Sequence, residues 1–306
     1  MAPYIRLAGG FPRDHDFPAI CEIPQLRSLA AMYCAPRTRP WLTLLRHPAL
    51  AQLTELRTFH HTVHFDTECL AEAARLLPQL RILHLHALSY FFSPADFFAP
   101  LMECPALTEL SLHSDDVHQH VRYIGRCSTL TRLSIQAANL GYMRAEIILA
   151  DLALQAQLRH LTLISVEEPP LPIAESLCAF AVLEELRVQA FTRIKDLISH
   201  LSDPLRLPTL RRLAINADLG IDPTLQVYCS VPRRAQLLPL LEVRPDLQLT
   251  LWFPSLKQVL PTINTARFSE SFVTKAHALL SAEYKSLHDA MGIRVRIRPK
   301  AMVDPV

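Results

Sequence analysis

"LPQLRILHLHAL", residues 77–88, sets Leu80, Leu83 and Leu85 in a Leu-x-x-Leu-x-Leu order, with His84 and His86 alternating against two of them. Alternation of this kind is the period of a strand with one covered face, because successive strand side chains point to opposite sides. The order is not unique to this stretch. It recurs as "LRSLAAM" from Leu26, "LTELRTF" from Leu53, "LTELSLH" from Leu107, "LTRLSIQ" from Leu130, "LRHLTLI" from Leu158, "LEELRVQ" from Leu183 and "LRRLAIN" from Leu210. The first leucines are separated by 27, 27, 27, 23, 28, 25 and 27 residues. Eight copies at that spacing mean that each is one rung of an array whose units cannot bury their apolar faces alone.

Between the anchors the apolar period changes from two to about 3.6, as a strand-then-helix unit requires. Val117, Val121, Ile124 and Cys127 follow it in one copy, and Ile173, Leu177, Phe180 and Leu183 in another. Cys104 and Cys127 stand three residues before a repeat leucine, where Leu77, Phe180 and Leu207 stand elsewhere, so they read as buried fillers.

These repeats resemble the leucine-rich repeat family, in its longer ribonuclease-inhibitor-like class, over about residues 26 to 216. The resemblance implies an α/β fold: a right-handed solenoid with parallel strands on the concave side and helices on the convex side. The third apolar position reads Ala31, Thr58, Leu85, Leu112, Ile135, Leu163, Val188 and Ile215, so the first two rungs match least well. The family's Asn or Cys three residues further on is replaced by Leu88, Asp115, Ala138, Val166, Phe191 and Asp218, which leaves open the side-chain ladder usual in that turn. We expect an N-terminal cap over residues 1–25, regular repeats over 26–218, and irregular repeats with a C-terminal cap over 219–306. In the last part "LQVYCSV" and "LQLTLWF" read as strands around a helix at "RRAQLLPLLE". Residues 266–292 read as a long amphipathic helix, and "GIRVRIRPK" as a charged edge strand.

Composition narrows the function classes. Half of the 306 residues are hydrophobic, and 31 Lys and Arg against 29 Asp and Glu leave a net charge of +2, with no global field to draw in nucleic acid or an acidic membrane. The seven cysteines include no Cys-x-x-Cys, and the first residues lack a secretory apolar core, so a cytoplasmic or nuclear location is expected. No stretch reads as a membrane span. The six glycines form neither a dinucleotide-binding loop nor a phosphate loop, and His-Glu-x-x-His and Gly-x-Ser-x-Gly are absent. We expect no cofactor.

If the anchor leucines face inward, the residues between them form three columns on the concave face. Candidate partner-binding residues there are Arg57, His84, His86, Glu109, His113, Arg132, His160, Glu185, Arg187, Gln189, Arg212 and Asn216. Glu109 should stand beside Arg132 and Glu185 beside Arg212. His84, His86, His113 and Glu109 form a conceivable zinc set, but all four are expected to project into solvent and we expect no metal. The pair His60 and His64 falls in the turn after a strand and is a weaker candidate still.

The expected function is non-enzymatic recognition of a protein partner on the concave face. "CPALTEL", "LPTLRRL" and the atypical C-terminal units are similar to the substrate-binding part of F-box and leucine-rich-repeat proteins, common among fungal sequences. That resemblance implies capture of a substrate for a cullin ubiquitin ligase, with docking to its linker subunit through an F-box. No helical Leu-Pro-x-Glu segment precedes the first rung. The alternative from another class is a hydrolase or a catalytic GTPase activator on the same scaffold, which needs a nucleophile and base or an arginine aimed at phosphate. Nucleic acid is not expected, because basic residues alternate with acidic ones.

Overall fold

Each repeat motif folds into a short strand whose second leucine packs inward. In the computed structural model the eight repeat strands are β2 (Ser28–Met32), β3 (Glu55–Phe59), β4 (Ile82–His86), β5 (Glu109–His113), β6 (Arg132–Ala137), β7 (His160–Ser165), β8 (Glu185–Gln189) and β9 (Arg212–Asn216), and β1 (Tyr4–Leu7), β12 (Gln248–Phe253) and β13 (Val295–Pro299) flank them. They form one eleven-stranded sheet in chain order, with every neighbouring pair parallel. The structure describes residues 4–7, 23, 26–32, 38–59, 67–86, 100, 104–113, 124, 127, 129–137, 156–165, 180–189, 194–216, 218–221, 227–230, 234–253 and 295–299.

Register follows the leucines. Leu29, Leu56, Leu83, Leu110, Leu133, Leu161, Leu186, Leu213 and Leu249 lie opposite one another from β2 to β12, and each is 2% exposed or less. Complete burial of such a side chain is worth about 1.5–3 kcal/mol, and a slip of one residue would turn the whole row outward. The two weakest repeats obey the same register: Ala31 lies opposite Thr58, and the fully buried Thr58 hydroxyl donates to the carbonyl of His84 at 3.4 Å.

Helices α1 (Thr38–Leu45), α2 (Thr67–Leu76), α3 (Ile194–Leu201) and α4 (Arg234–Val243) lie on the leucine side of the sheet. Leu42 and Leu45, Leu70 and Ala73, Leu197 and Leu201, and Leu237 and Leu241 recur at three- or four-residue spacing and join the strand leucines in one core. Among the described residues the opposite strand face, the one expected to be concave, is open over most of β3 to β9, whereas Ser28 and Ala30, its residues on β2, are buried. Of the residues on which further helices were expected, Ile124, Cys127, Phe180 and Leu183 are buried, whereas Val117, Val121, Ile173 and Leu177 lie outside the described residues. The long helix expected over 266–292 also lies outside them.

The terminal segments carry strands of their own. β1, within the segment read as a cap, extends the sheet beside β2, and β13 is the edge strand next to β12. "LQVYCSV" supplies β11 (Val227–Ser230), which pairs antiparallel with β10 (Asp218–Ile221) in a separate two-stranded sheet and not with the main array.

One hydrogen-bond motif joins the rungs just before each strand. The carbonyl of Arg27 accepts from the amides of both Thr54 and Glu55; that of Thr54 accepts from Arg81 and Ile82; the pairing repeats through Arg81, Thr108, Thr131, Arg159 and Glu184 at 2.8–3.1 Å. Threonine hydroxyls reinforce it where the sequence supplies them: Thr54 donates to Arg27, Thr108 to Arg81 and Thr131 to Thr108. Among the described residues, these bonds tie rung to rung where the family's Asn or Cys ladder would lie one turn further on. The rung of β12 is one residue short, Leu247-Gln248-Leu249 against Leu210-Arg211-Arg212-Leu213, and there the carbonyl of Arg211 accepts from the amide of Gln248.

That short rung holds a buried arginine. Three residues before the first leucine of six rungs stand Leu50, Leu77, Cys104, Cys127, Phe180 and Leu207, all buried; before Leu247 the position is Arg244, 8% exposed. Its guanidinium donates to the carbonyls of Leu201 at 2.8 Å, Leu207 at 2.8 Å and Asp203 at 3.1 Å, and to that of Arg206. Burial pulls its pKa down, partly opposed by the Asp203 carboxylate. The planar fork bonds the carbonyl of Leu201 at the end of α3 and three carbonyls in the loop behind it, two of which, those of Asp203 and Leu207, also accept backbone amides.

Arg244→Met should therefore remove the guanidinium bonds to four carbonyls, of which those of Asp203 and Leu207 still accept from the amides of Arg206 and Leu210, and cost about 2 kcal/mol, read as a lower urea midpoint, while Arg211→Met on the exposed edge changes it little. Leu207 adopts φ 48°, in the left-handed region, with its side chain 1% exposed. Leu207→Gly relieves about 1–2 kcal/mol of backbone strain but forfeits about 2–5 kcal/mol of packing, so denaturant titration should show a net loss of about 2 kcal/mol.

Candidate functional site

On the open face the strand register turns the repeat into rows of side chains. One row runs Glu55, Ile82, Glu109, Arg132, His160, Glu185, Arg212 from β3 to β9, and the next runs Arg57, His84, Ser111, Ser134, Thr162, Arg187, Ala214. Both expected neighbours are present: Arg132 reaches Glu109 at 3.8 Å and Arg212 reaches Glu185 at 3.0 Å.

Each of these carboxylates also holds a histidine from the strand before it. His84 Nε2 lies 3.2 Å from Glu109 Oε1, and His160 Nδ1 lies 3.2 Å from Glu185 Oε2. A His–Glu–Arg unit spans β4 to β6, and a second spans β7 to β9. Arg57 and Glu55 form an ion pair at the head of the chain. The bond from His84, then the charges of Arg132 and Arg57, hold the Glu109 carboxyl below its ordinary value against the opposing cost of burial. Burial lowers the pKa of Arg187, partly offset by Glu185.

His84 departs from expectation. Alternation places it on the open face, yet it is 2% exposed where projection into solvent was expected. Its ring is shorter than the Glu and Arg side chains around it, and Glu109 of the adjacent strand engages it. Sequence alternation reports the direction of a side chain, not the reach of its neighbours.

The groove over β4 to β8 includes His84, Glu109, Arg132, His160 and Arg187 in its lining and encloses about 210 Å³. That is below the usual 300–1,000 Å³ of a small-molecule pocket. Eight of the twelve candidate residues are thus gathered by bonds or by this groove: Arg57, His84, Glu109, Arg132, His160, Glu185, Arg187 and Arg212. His113 is half-buried on β5, and the backbones of His86 and His113 lie opposite each other. The side chains of His86, Gln189 and Asn216 lie outside the described residues, as do His60 and His64. Among the described residues no group of three or more His, Cys, Asp or Glu is placed to hold a metal ion. Burial, with Cys104 nearby, pushes the Cys127 thiol up to about 12, so it stays protonated in the core.

Because the Glu109 pKa is lowered on folding, its contribution to stability is present above the unfolded value of 4.5 and is lost as pH falls through the folded value. Denaturant midpoints measured from about pH 6 down to about pH 3 should fall more steeply in the wild type than in Glu109→Gln.

No protein-family model matches the chain, and no curated protein matches it. Among solved structures it is similar to the leucine-rich repeat-containing protein LegL7 from Legionella pneumophila, with a TM-score of 0.58 and 17% identity, covering 82% of this chain and 81% of that one. Together with the parallel register and the buried leucine rows, this likeness shows the fold to be an α/β leucine-rich-repeat solenoid.

Proposed function

We propose that the chain is a non-enzymatic recognition module that binds a protein partner on its open strand face. The observation that carries this reading is the chain of charged and imidazole groups running from Glu55 and Arg57 through both His–Glu–Arg units to Arg212. Exposed ion pairs add only about 0–1 kcal/mol each to stability, so a face that devotes its rows to them is better suited to selection than to holding the fold. Arginines at fixed spacing on rigid strands are the residue type favoured at protein interfaces.

The catalytic alternative draws less support. A general base works best with a pKa near the operating pH, whereas Glu109 is driven the other way by His84 and two arginines. A substrate-receptor role in an F-box-type ubiquitin ligase, with cytoplasmic or nuclear residence, forms part of the proposal and rests on the sequence resemblance of the repeats and their irregular C-terminal units.

Affinity purification with mass spectrometry, comparing wild type with a charge-reversed Arg132, Arg187 and Arg212 triple variant, tests the reading. We expect specific proteins to be lost with the variant; a cullin and its linker retained by both forms would support the ligase role. Identical protein lists would show that this face does not bind the partner.

A further inference from the structure

Within the two His–Glu–Arg units the carboxylates and the guanidinium groups are not equally available. Glu109 and Glu185 each face both a histidine and an arginine, and their side chains are 25% and 35% exposed. Arg132 and Arg212 are 56% and 51% exposed. Arg132 stands 3.8 Å from Glu109, too far for a hydrogen bond, while a guanidinium carries five N–H donors.

Charge is also unevenly spread over the molecule. The first two rows of the face hold Arg57, Arg132, Arg187 and Arg212 against Glu55, Glu109 and Glu185. The rim just before the strands adds Arg27, Arg81, Arg159 and Arg211, against Glu184 alone among the corresponding residues of these eight rungs. The whole chain carries only +2, so the strand side is more cationic than the remainder.

We infer that this face takes an extended acidic segment of a partner protein, with carboxylates received by Arg132 and Arg212 and Arg187 between them. The inference rests on the recognition reading above and names its partner class. Arg132, His160, Glu185 and Arg212 lie in one register line, so the two arginines are three strand steps apart, about 14 Å. An extended peptide advances about 3.3 Å per residue, which matches carboxylates four residues apart. Serine and threonine on the same rows, at Ser111, Ser134 and Thr162, offer hydrogen bonds to a peptide backbone. A nucleic acid fits less well. Its evenly charged backbone would meet Glu55, Glu109 and Glu185 along the same face, and the two rows present no Phe, Tyr or Trp on which bases could stack.

Fluorescence anisotropy on the full chain tests this with a fluorescein-labelled peptide of about 12 residues, built from Gly, Ser and Thr with glutamate at every fourth position. Comparators are the same composition with contiguous glutamates, a lysine-for-glutamate peptide and an oligouridylate of similar length. The spaced peptide should bind about tenfold or more tightly than the contiguous one. Arg132→Glu or Arg212→Glu should weaken it by about tenfold or more, while Arg75→Glu on α2 leaves it unchanged. Circular dichroism confirms that the variants fold. Absence of acidic-peptide binding, indifference to spacing, or tighter binding of oligouridylate would overturn the inference. If acidic peptides fail while charge reversal still removes cellular partners, the acidic assignment falls and the recognition reading stands; if charge reversal removes none, the recognition reading falls as well.

Discussion

One carbonyl per rung, accepting two amides from the rung that follows, is the constraint on which the array depends. It recurs from Arg27 to Glu184 at nearly constant distance. Parallel strands have no tight hairpin to set their alignment, so register must come from elsewhere. Here the paired amides fix where each strand begins, and the leucine row behind them penalises any slip. Backbone and core select the same alignment, which is why repeats with threonine or alanine at the third apolar position still pair in step with the better ones.

The open face inherits that alignment. Because every strand starts at the same level, a substitution at one repeat position lands beside its counterpart on the next strand, about 4.8 Å away. Two histidine–glutamate–arginine units arise from this, built from different row positions in the first case and from a single row in the second. Their carboxylates are turned toward neighbouring cations, and the arginines remain the more exposed partners. The described helices lie on the other side and contribute to the core.

Much of the fold was legible because leucine spacing reports burial directly. The strands from β3 to β9 begin at Glu55, Ile82, Glu109, Arg132, His160, Glu185 and Arg212, the same positions that alternation puts at the head of the first column. Adjacent charges were legible too, since parallel register follows from the repeat. Less was legible wherever an outcome depended on side-chain reach. His84 has the alternation of an exposed residue and the environment of a buried one. β1 carries no repeat motif and is recognised only by its pairing with β2. Arg244 bonds to carbonyls about forty residues earlier, which no local pattern announces. Its signal was positional: it occupies the slot three residues before a repeat leucine that apolar residues fill in most other rungs.

The arginine in that slot bears on how the array comes apart. A solenoid is close to a one-dimensional chain of units, each held mainly by its neighbours, and such chains fray from their ends. Separating the short β12 rung, with β13 beyond it, from its predecessor would strip a guanidinium from its carbonyls in the same step that exposes the leucines. Opening at this boundary is thereby made more nearly all-or-none. Arg212, on the last regular rung, then sits inside the cooperative unit and not at its loosened margin.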